Sequence, residues 1–487
     1  MKKQKSLKLN FIMNAILTMS SFIFPLITFP YISRILLPVG TGKVSFATSL
    51  ISYFTMFAQL GIPTYGIRAC AKVRDDKEEL SRTVQELFII NLIMTVLAYV
   101  VLFLALMFVP RLQDEKLLYI IVSFTIIFNT IGMEWLYKAL EQYTYITVRS
   151  IIFKFIALIA MFVLVKQQSD YVIYGGISIF AASASNILNF INARKYVYLR
   201  PLGNYNFKKH LNAVMVFFAM SCATTIYTHL DTVMLGFMAT DADVGYYNAA
   251  VKIKTVLVSI VTSLGTVLLP RASYYVENNM MDQFKKITQK ALNFVFLLAI
   301  PLMIYFIIFA KWGIYFLSGT AYTDSIIPMQ IIMPTLLFIG ITNILGIQIL
   351  VPLGKEKTVL YSEIAGAIVD LIINILLIPQ FKAAGAAIGT LAAEIVVFIY
   401  QYIALRDEVG SAFRKIQYAK ILLGIVLACL CSIWVTTMAF GNFVTLMISA
   451  VLFFGVYGLT LLVLKEPLVI EIFNQVINKV KLVLKIS

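Results

Sequence analysis

The chain has 487 residues, of which 60% are hydrophobic and only 13% charged, with a mean hydropathy of +0.88. Those proportions exclude a water-soluble fold around one buried core, because too few polar residues remain to cover its surface. The formal net charge of +16 lies in breaks between apolar runs, where attraction to anionic lipid headgroups accounts for it without a nucleic-acid partner.

In chain order the apolar runs cover 10–34, 44–66, 86–109, 117–136, 146–165, 171–192 and 211–237, then 246–269, 289–310, 325–351, 358–378, 383–405, 418–439 and 443–464. Each holds roughly 20 residues, the length at which a helix crosses a bilayer. Stretches such as Leu87 to Val109 are apolar on all sides, so helices fit and the shorter, alternating strands of a barrel do not. The expected fold is therefore an all-α polytopic membrane protein with about 14 transmembrane helices. The opening MKKQKSLKLN and its apolar run resemble a signal peptide. The run is too long, however, and ends in Pro30-Tyr31-Ile32-Ser33-Arg34 without a small-residue cleavage site, which predicts an uncleaved first span.

Lys and Arg stay on the cytoplasmic side during insertion. With the N-terminus inside, about 30 of the 40 basic residues fall inside and about 7 outside. The inner sets include Lys2, Lys3, Lys5 and Lys8, then Arg68 to Arg82, Arg194 to Lys209, and Arg271 with Lys285, Lys286 and Lys290. Both termini are expected to be cytoplasmic. The stretch from Glu466 to Ser487, with Lys479, Lys481 and Lys485 among apolar residues, predicts an amphipathic helix on the inner surface. Cys70, Cys222, Cys429 and Cys431 read as small apolar residues, and His210 and His229 lack metal-ligand spacing.

The sequence partly repeats at about 203 residues, pairing Gly42 to Ala47 with Gly245 to Ala250, and Arg68 with Arg271. Gly132 and Gly340, and Gly176 to Ile179 with Gly385 to Ile388, follow at slightly larger offsets. Six spans per repeat place both copies the same way up, as two parallel six-helix lobes around a cavity whose rocking gives alternating access. The expected organisation is an N-terminal lobe at 1–200, a C-terminal lobe at 201–416, and two further helices with a cytoplasmic tail at 417–487. Pro201-Leu202-Gly203-Asn204 marks the linker between lobes.

Four segments carry a family resemblance: FPYISRILLPVGTGKVSFATS (29–49), LGIPTYGIRACAKVRDD (60–76), LDTVMLGFMATDADVGYYNAAVKI (230–253) and IPQFKAAGAAIGTLAAE (378–394). With them the chain resembles the Wzx-type oligosaccharide flippases, or polysaccharide biosynthesis proteins, of the multidrug/oligosaccharidyl-lipid/polysaccharide exporter superfamily. The resemblance implies a multi-pass carrier in the bacterial cytoplasmic membrane. It would move an undecaprenyl-pyrophosphate-linked oligosaccharide to the outer leaflet for capsule, exopolysaccharide or O-antigen synthesis, without covalent catalysis. It leaves open direct partnership with a polysaccharide polymerase or glycosyltransferases.

Such cargo needs a wet cavity and cations for its phosphates, and ionisable residues in spans are candidates because each is costly in hydrocarbon. Arg68 and Arg271 at the cytoplasmic mouth either anchor the fold or engage pyrophosphate bidentately. Lys252 and Lys254 lie in the outer half of the eighth span, Arg34 at the outer end of the first, and Lys154 near the inner end of the fifth. Two positions apart on one helix, the two lysines point about 200° apart, so only one can face a given cavity wall squarely. Asp231, Asp370 and Glu394 either form structural ion pairs or couple transport to H⁺ or Na⁺. Glu134, Glu141 and Glu363 read as groups of solvated loops or salt bridges, and Trp312 beside Lys311 as an interfacial anchor. No cofactor or metal is expected, and no GxxxxGK[ST] loop offers ATP binding.

Three alternatives remain. A flippase for another polyprenyl-linked precursor, of peptidoglycan or teichoic acid, shares the phosphate handle. A cation-coupled multidrug exporter would favour carboxylates in its cavity, where cations predominate here. A membrane scaffold for glycosyltransferases needs neither buried charge nor a repeat.

Overall fold

A computed structural model describes residues 7–484 of the chain, so Lys2, Lys3, Lys5 and Lys485 lie outside the described residues. All regular structure among the described residues is helical. The chain forms two compact units, Met1–Asn248 and Ala249–Ser487.

The first unit begins with α1 (Leu7–Gln59), α2 (Ile62–Lys72), α3 (Lys77–Phe108), α4 (Pro110–Gln113) and α5 (Lys116–Gly132). It continues with α6 (Glu134–Ala139), α7 (Tyr143–Leu164), α8 (Tyr171–Ile179), a π-helical stretch at Phe180–Ala184, α9 (Asn186–Ala193) and α10 (Lys208–Met238). The next helix, α11 (Asp241–Glu277), starts in this unit and ends in the second. There follow α12 (Met281–Ile308), α13 (Ala310–Leu317), α14 (Ile326–Ile332), α15 (Thr335–Thr342) and a π-helical stretch at Asn343–Leu350. The chain closes with α16 (Glu356–Ala404), α17 (Arg406–Arg414), α18 (Tyr418–Ser432), α19 (Asn442–Val463) and α20 (Pro467–Leu484).

Among the described residues, eleven helices are long and apolar enough to cross a membrane, or twelve if the bent pair Thr320–Ile332 and Thr335–Leu350 is one span. The difference from fourteen apolar runs lies in α1 and α16, which have 53 and 49 residues. At about 1.5 Å per residue each is far longer than a hydrocarbon core of about 30 Å. Each also carries one residue with non-helical dihedrals, Leu37 (φ 58°, ψ 179°) in α1 and Lys382 (φ 51°, ψ −125°) in α16. Pro38 follows the first and Pro379 precedes the second, and proline removes a helical hydrogen bond at each place.

Local chemistry sets the other boundaries. Asp76 caps α3 by accepting from the backbone N–H groups of Glu78 (2.9 Å) and Glu79 (3.2 Å), whose own carboxylates favour the helix N-terminus. Gly61 (φ 72°) adopts the left-handed conformation that ends α1 and starts α2. Gly66 then admits the Trp135 ring, and the buried core of this region holds Ile62, Leu87, Trp135, Tyr137 and Ile146. In the second unit the core gathers Leu292, Tyr305, Phe309, Leu345, Leu350 and Phe453.

Candidate functional site

The second unit holds a cavity of about 340 Å³ and the first unit one of about 300 Å³. The latter lies among α1, α2, α5 and α10. Three helices turn polar stripes toward it: Ser52, Thr55 and Gln59 of α1, Thr125 and Asn129 of α5, and Ser221, Thr225 and His229 of α10. The spacings are those of single helical faces, i to i+3, i+4 and i+7 or i+8. Among the described residues, no charged one lines it.

Part of this polar lining is already committed. The hydroxyls of Ser52 and Thr55 donate back to their own helix, to the Thr48 and Ile51 carbonyls at 2.8 Å each. His229 Nδ1 lies 3.2 Å from Ser49 Oγ, and Asn186 donates to Asn129 at 3.3 Å. The buried Thr125 hydroxyl makes no hydrogen bond among the described residues. A buried polar atom without a partner costs about 1–3 kcal/mol; the amides and hydroxyls among the other lining residues are of the type that can bond a hydroxyl- or amide-bearing guest.

The cations singled out in the sequence lie elsewhere. Arg34 is exposed on α1, its guanidinium donating to the Pro30 carbonyl one turn back. Arg68 on α2 and Arg271 on α11 are exposed. Lys154 of α7 is half-buried and donates to Ser20 (2.8 Å) and Ser21 (3.0 Å) of α1. Lys252 and Lys254 are half-buried on α11. None of the six lines either cavity.

The three membrane carboxylates are all buried: Asp231 is 6% exposed, Asp370 2% and Glu394 3%. Asp231 accepts from the Tyr247 hydroxyl. Asp370 accepts from Asn374 at 3.2 Å, and the return half of α16 brings Gly389 onto both, where a Cβ would lie 2.7 Å from Asp370 Oδ1. Glu134 and Glu141 take part in ion pairs, with Lys138 (2.8 Å) and with Arg74 (2.9 Å). Lys311 lies over the Trp312 ring.

Several polar clusters have no counterpart among the sequence candidates. Glu86 is fully buried at the start of α3 and accepts from the Asn206 N–H (2.6 Å) and Lys209 Nζ (2.9 Å), with His210 Nε2 at 2.7 Å. The Tyr65 hydroxyl meets the other ring nitrogen of His210 at 2.8 Å. Adjacent Gln85 holds the Tyr198 and Arg200 carbonyls, the Leu202 N–H and the Tyr205 hydroxyl. The expected interlobe linker is thus strapped along α3. Arg149, buried in α7, donates to the Ser185 carbonyl (2.9 Å). Arg111 pairs with Asp241, and Lys43 with Glu115, which also accepts from Tyr171. Periodicity could have found the Ser221-Thr225-His229 stripe. No local signal joins Glu86 to His210 across 124 positions.

Comparison with known proteins places this architecture. The profile of the family described as "Polysaccharide biosynthesis protein" matches residues 7–276, more than half the chain, and that described as MatE matches residues 217–376. The chain belongs to the polysaccharide biosynthesis protein family. The family is one of transporters and flippases, not of enzymes. A relative from Escherichia coli (strain K12), named as a candidate O-antigen transporter, is 26% identical over 83% of this chain and 97% of its own length. A relative from Haloferax volcanii, named as a candidate flippase of low-salt glycan biosynthesis, is 20% identical over 43% of this chain and 40% of its own. The solved structure titled "Lipid II flippase MurJ, inward closed conformation" has the same fold, with a TM-score of 0.69 at 17% identity over 92% of this chain and 98% of that one. The protein is therefore an all-α, multi-pass membrane protein with a MurJ-like fold.

Proposed function

We propose that this protein flips a polyprenyl-pyrophosphate-linked oligosaccharide unit from the inner to the outer leaflet of a bacterial cytoplasmic membrane, feeding surface polysaccharide synthesis. The observation that carries the reading is the uncharged, hydroxyl- and amide-lined cavity amid membrane helices of a member of this family. A glycan is a dense array of neutral hydrogen-bonding groups, and a lining of Ser, Thr, Asn, Gln and His answers it without fixing charge in a low dielectric. A lipophilic-cation exporter would want carboxylates there, and none lines it among the described residues.

The carrier architecture follows the repeat. If α1 and α16 each hold two crossings, the twelve spans become fourteen, in two lobes of six (1–200 and 201–416) with 417–487 appended and both termini cytoplasmic. Under that division Ser52 and Thr125 belong to the first lobe and Ser221 and Thr225 to the second. Arg68 and Arg271 receive the pyrophosphate at the cytoplasmic mouth, and at least one of Lys252 and Lys254, with Arg34 and Lys154, supplies the cations along its path. Asp231, Asp370 and Glu394 bind the coupling H⁺ or Na⁺.

A peptidoglycan precursor is the second reading, favoured by the fold shared with a lipid II flippase. Depleting the protein separates the two. Lipid-linked repeat units of a surface glycan should accumulate on the cytoplasmic leaflet and be identified by mass spectrometry, with this chain alone restoring export. Accumulation of lipid-linked muropeptide instead would select the second reading, and unchanged leaflet distributions of both would sink flipping altogether.

A further inference from the structure

The larger cavity, about 340 Å³, lies in the second unit between the first turns of α12 and the short helix α17, far in sequence from the stripes of the neutral cavity. The packing beneath it is apolar: Val409 and Ala412 of α17 and Phe284 of α12 are buried in one cluster, and Phe413 meets Phe296 edge to face. That packing fixes the two helices as cavity walls. Lys285 and Lys286 enter the lining from α12, and Lys415 from the residue that closes α17.

The neighbouring lysines set the contrast. Lys290, one turn further along α12, pairs with Glu471 at 2.9 Å, and Lys355 pairs with Glu408 at 3.0 Å. Lys285, Lys286 and Lys415 have neither ion pair nor hydrogen bond among the described residues. Two carboxylates also line the cavity, Asp282 and Glu408. Glu408 is engaged by Lys355, so cations remain in excess. Three lysines lining one concavity carry like charges that repel each other, and a guest anion reverses the sign of that interaction. Thr288 and Ser411 belong to the same lining, and hydroxyls of this kind can donate to an anionic oxygen.

We propose that this cavity binds a phosphate-class anion, at a site separate from the transport cavity. A volume of about 340 Å³ is at the lower end of the range for small-ligand sites, about 300–1,000 Å³, enough for a phosphate with a glycerol-sized substituent. The two carboxylates disfavour a polyanion and select a singly or doubly charged group. Two sources supply that chemistry: the headgroup of an anionic phospholipid, and free phosphate in solution.

The test uses the full chain purified in detergent. Native mass spectrometry reads retention of phosphatidylglycerol against phosphatidylcholine, and thermal melting reads stabilisation by inorganic phosphate. Lysines near a membrane surface each contribute roughly a five-fold factor toward anionic lipid. The triple variant K285Q/K286Q/K415Q should therefore lose about 100-fold in phosphatidylglycerol affinity by the same reckoning. The three side chains are exposed, so the apolar packing survives, and the corresponding triple Arg variant should retain binding. Preferential phosphatidylglycerol retention that the triple Gln variant loses identifies the lipid source. A phosphate-induced rise in melting midpoint, absent from that variant, identifies the free ion. If wild type and triple Gln variant behave alike toward both probes, the site does not exist.

Discussion

Glu86 shows how much of the polar chemistry depends on tertiary placement. It stands at the polar start of a strongly apolar run, where a carboxylate reads as a solvated end. The fold instead buries it completely and surrounds it with three donors, Asn206 N, Lys209 and His210. Removing one partner of a buried ionic group typically costs about 3–5 kcal/mol because the others are left uncompensated. E86A should lower the melting midpoint of the purified protein and loosen 198–210, seen as faster proteolysis there, while E86Q keeps part of the network and falls between. An unchanged midpoint and cleavage pattern in E86A would show that the strap is held without this carboxylate. Thr125, Ser221 and Thr225 present the opposite case, residues whose helical spacing was legible but whose types are common in membrane helices. Under the flippase reading each hydroxyl bonded to a glycan contributes about 1 kcal/mol. Changing Thr125 and Thr225 together to Val, which keeps shape, should then cut export roughly 30-fold by that figure at unchanged protein abundance. Export at the wild-type level in a leaflet-accessibility assay would remove the cavity from the transport path.

At the scale of elements, the apolar runs were legible because length and hydropathy alone specify them, and the helices fall where those runs lie. The reversals were less so. Leu37 and Lys382 turn the chain through one residue of positive φ each, so no polar loop announces the break that separates adjacent runs. The first reversal is fixed by packing: a Cβ on Gly42 would overlap the carbonyl oxygen of Asp241, and one on Gly245 that of Pro38. Backbone opposes each glycine, so no side chain can swing aside. Overpacking of this kind costs typically about 1–3 kcal/mol, and Gly42→Ala and Gly245→Ala should each lower yield and melting midpoint. Gly458→Ala is the control, since nothing lies within 4 Å of its added carbon and alanine favours a helix by about 1 kcal/mol over glycine. Equal midpoints for all three variants would mean that the close backbone approach is not maintained in the folded protein.

At the scale of the whole molecule, the glycine contact has the symmetry expected of the repeat read in the sequence. Asp241 follows Pro38 by 203 residues, and Gly245 follows Gly42 by the same 203. Gly42 meets Asp241 while Gly245 meets Pro38. Such reciprocity is what a two-fold relation between equivalent segments produces, and these are the segments that the sequence pairs at a separation of 203 residues. The ion pairs sort in the same way. Lys43 with Glu115 and Tyr171, and Arg111 with Asp241, join segments that the charge distribution assigns to the outer side. Arg74 with Glu141, and Glu86 with Lys209 and His210, join segments assigned to the inner side. Segments that alternate in sequence thus gather by side within the first unit, although only the Lys and Arg bias indicates which side faces the cytoplasm. Single cysteines in a background whose four native cysteines are replaced test that orientation. Asp114→Cys, at an exposed position between α4 and α5, should react in intact cells with a membrane-impermeant maleimide. Lys195→Cys, at an exposed position beyond α9, should react only after the membrane is opened. Reaction of both from the same side would break the alternation, and with it the expected parallel six-span repeat; reaction with the sides exchanged would invert the expected topology and rule out the proposed cytoplasmic role of Arg68 and Arg271.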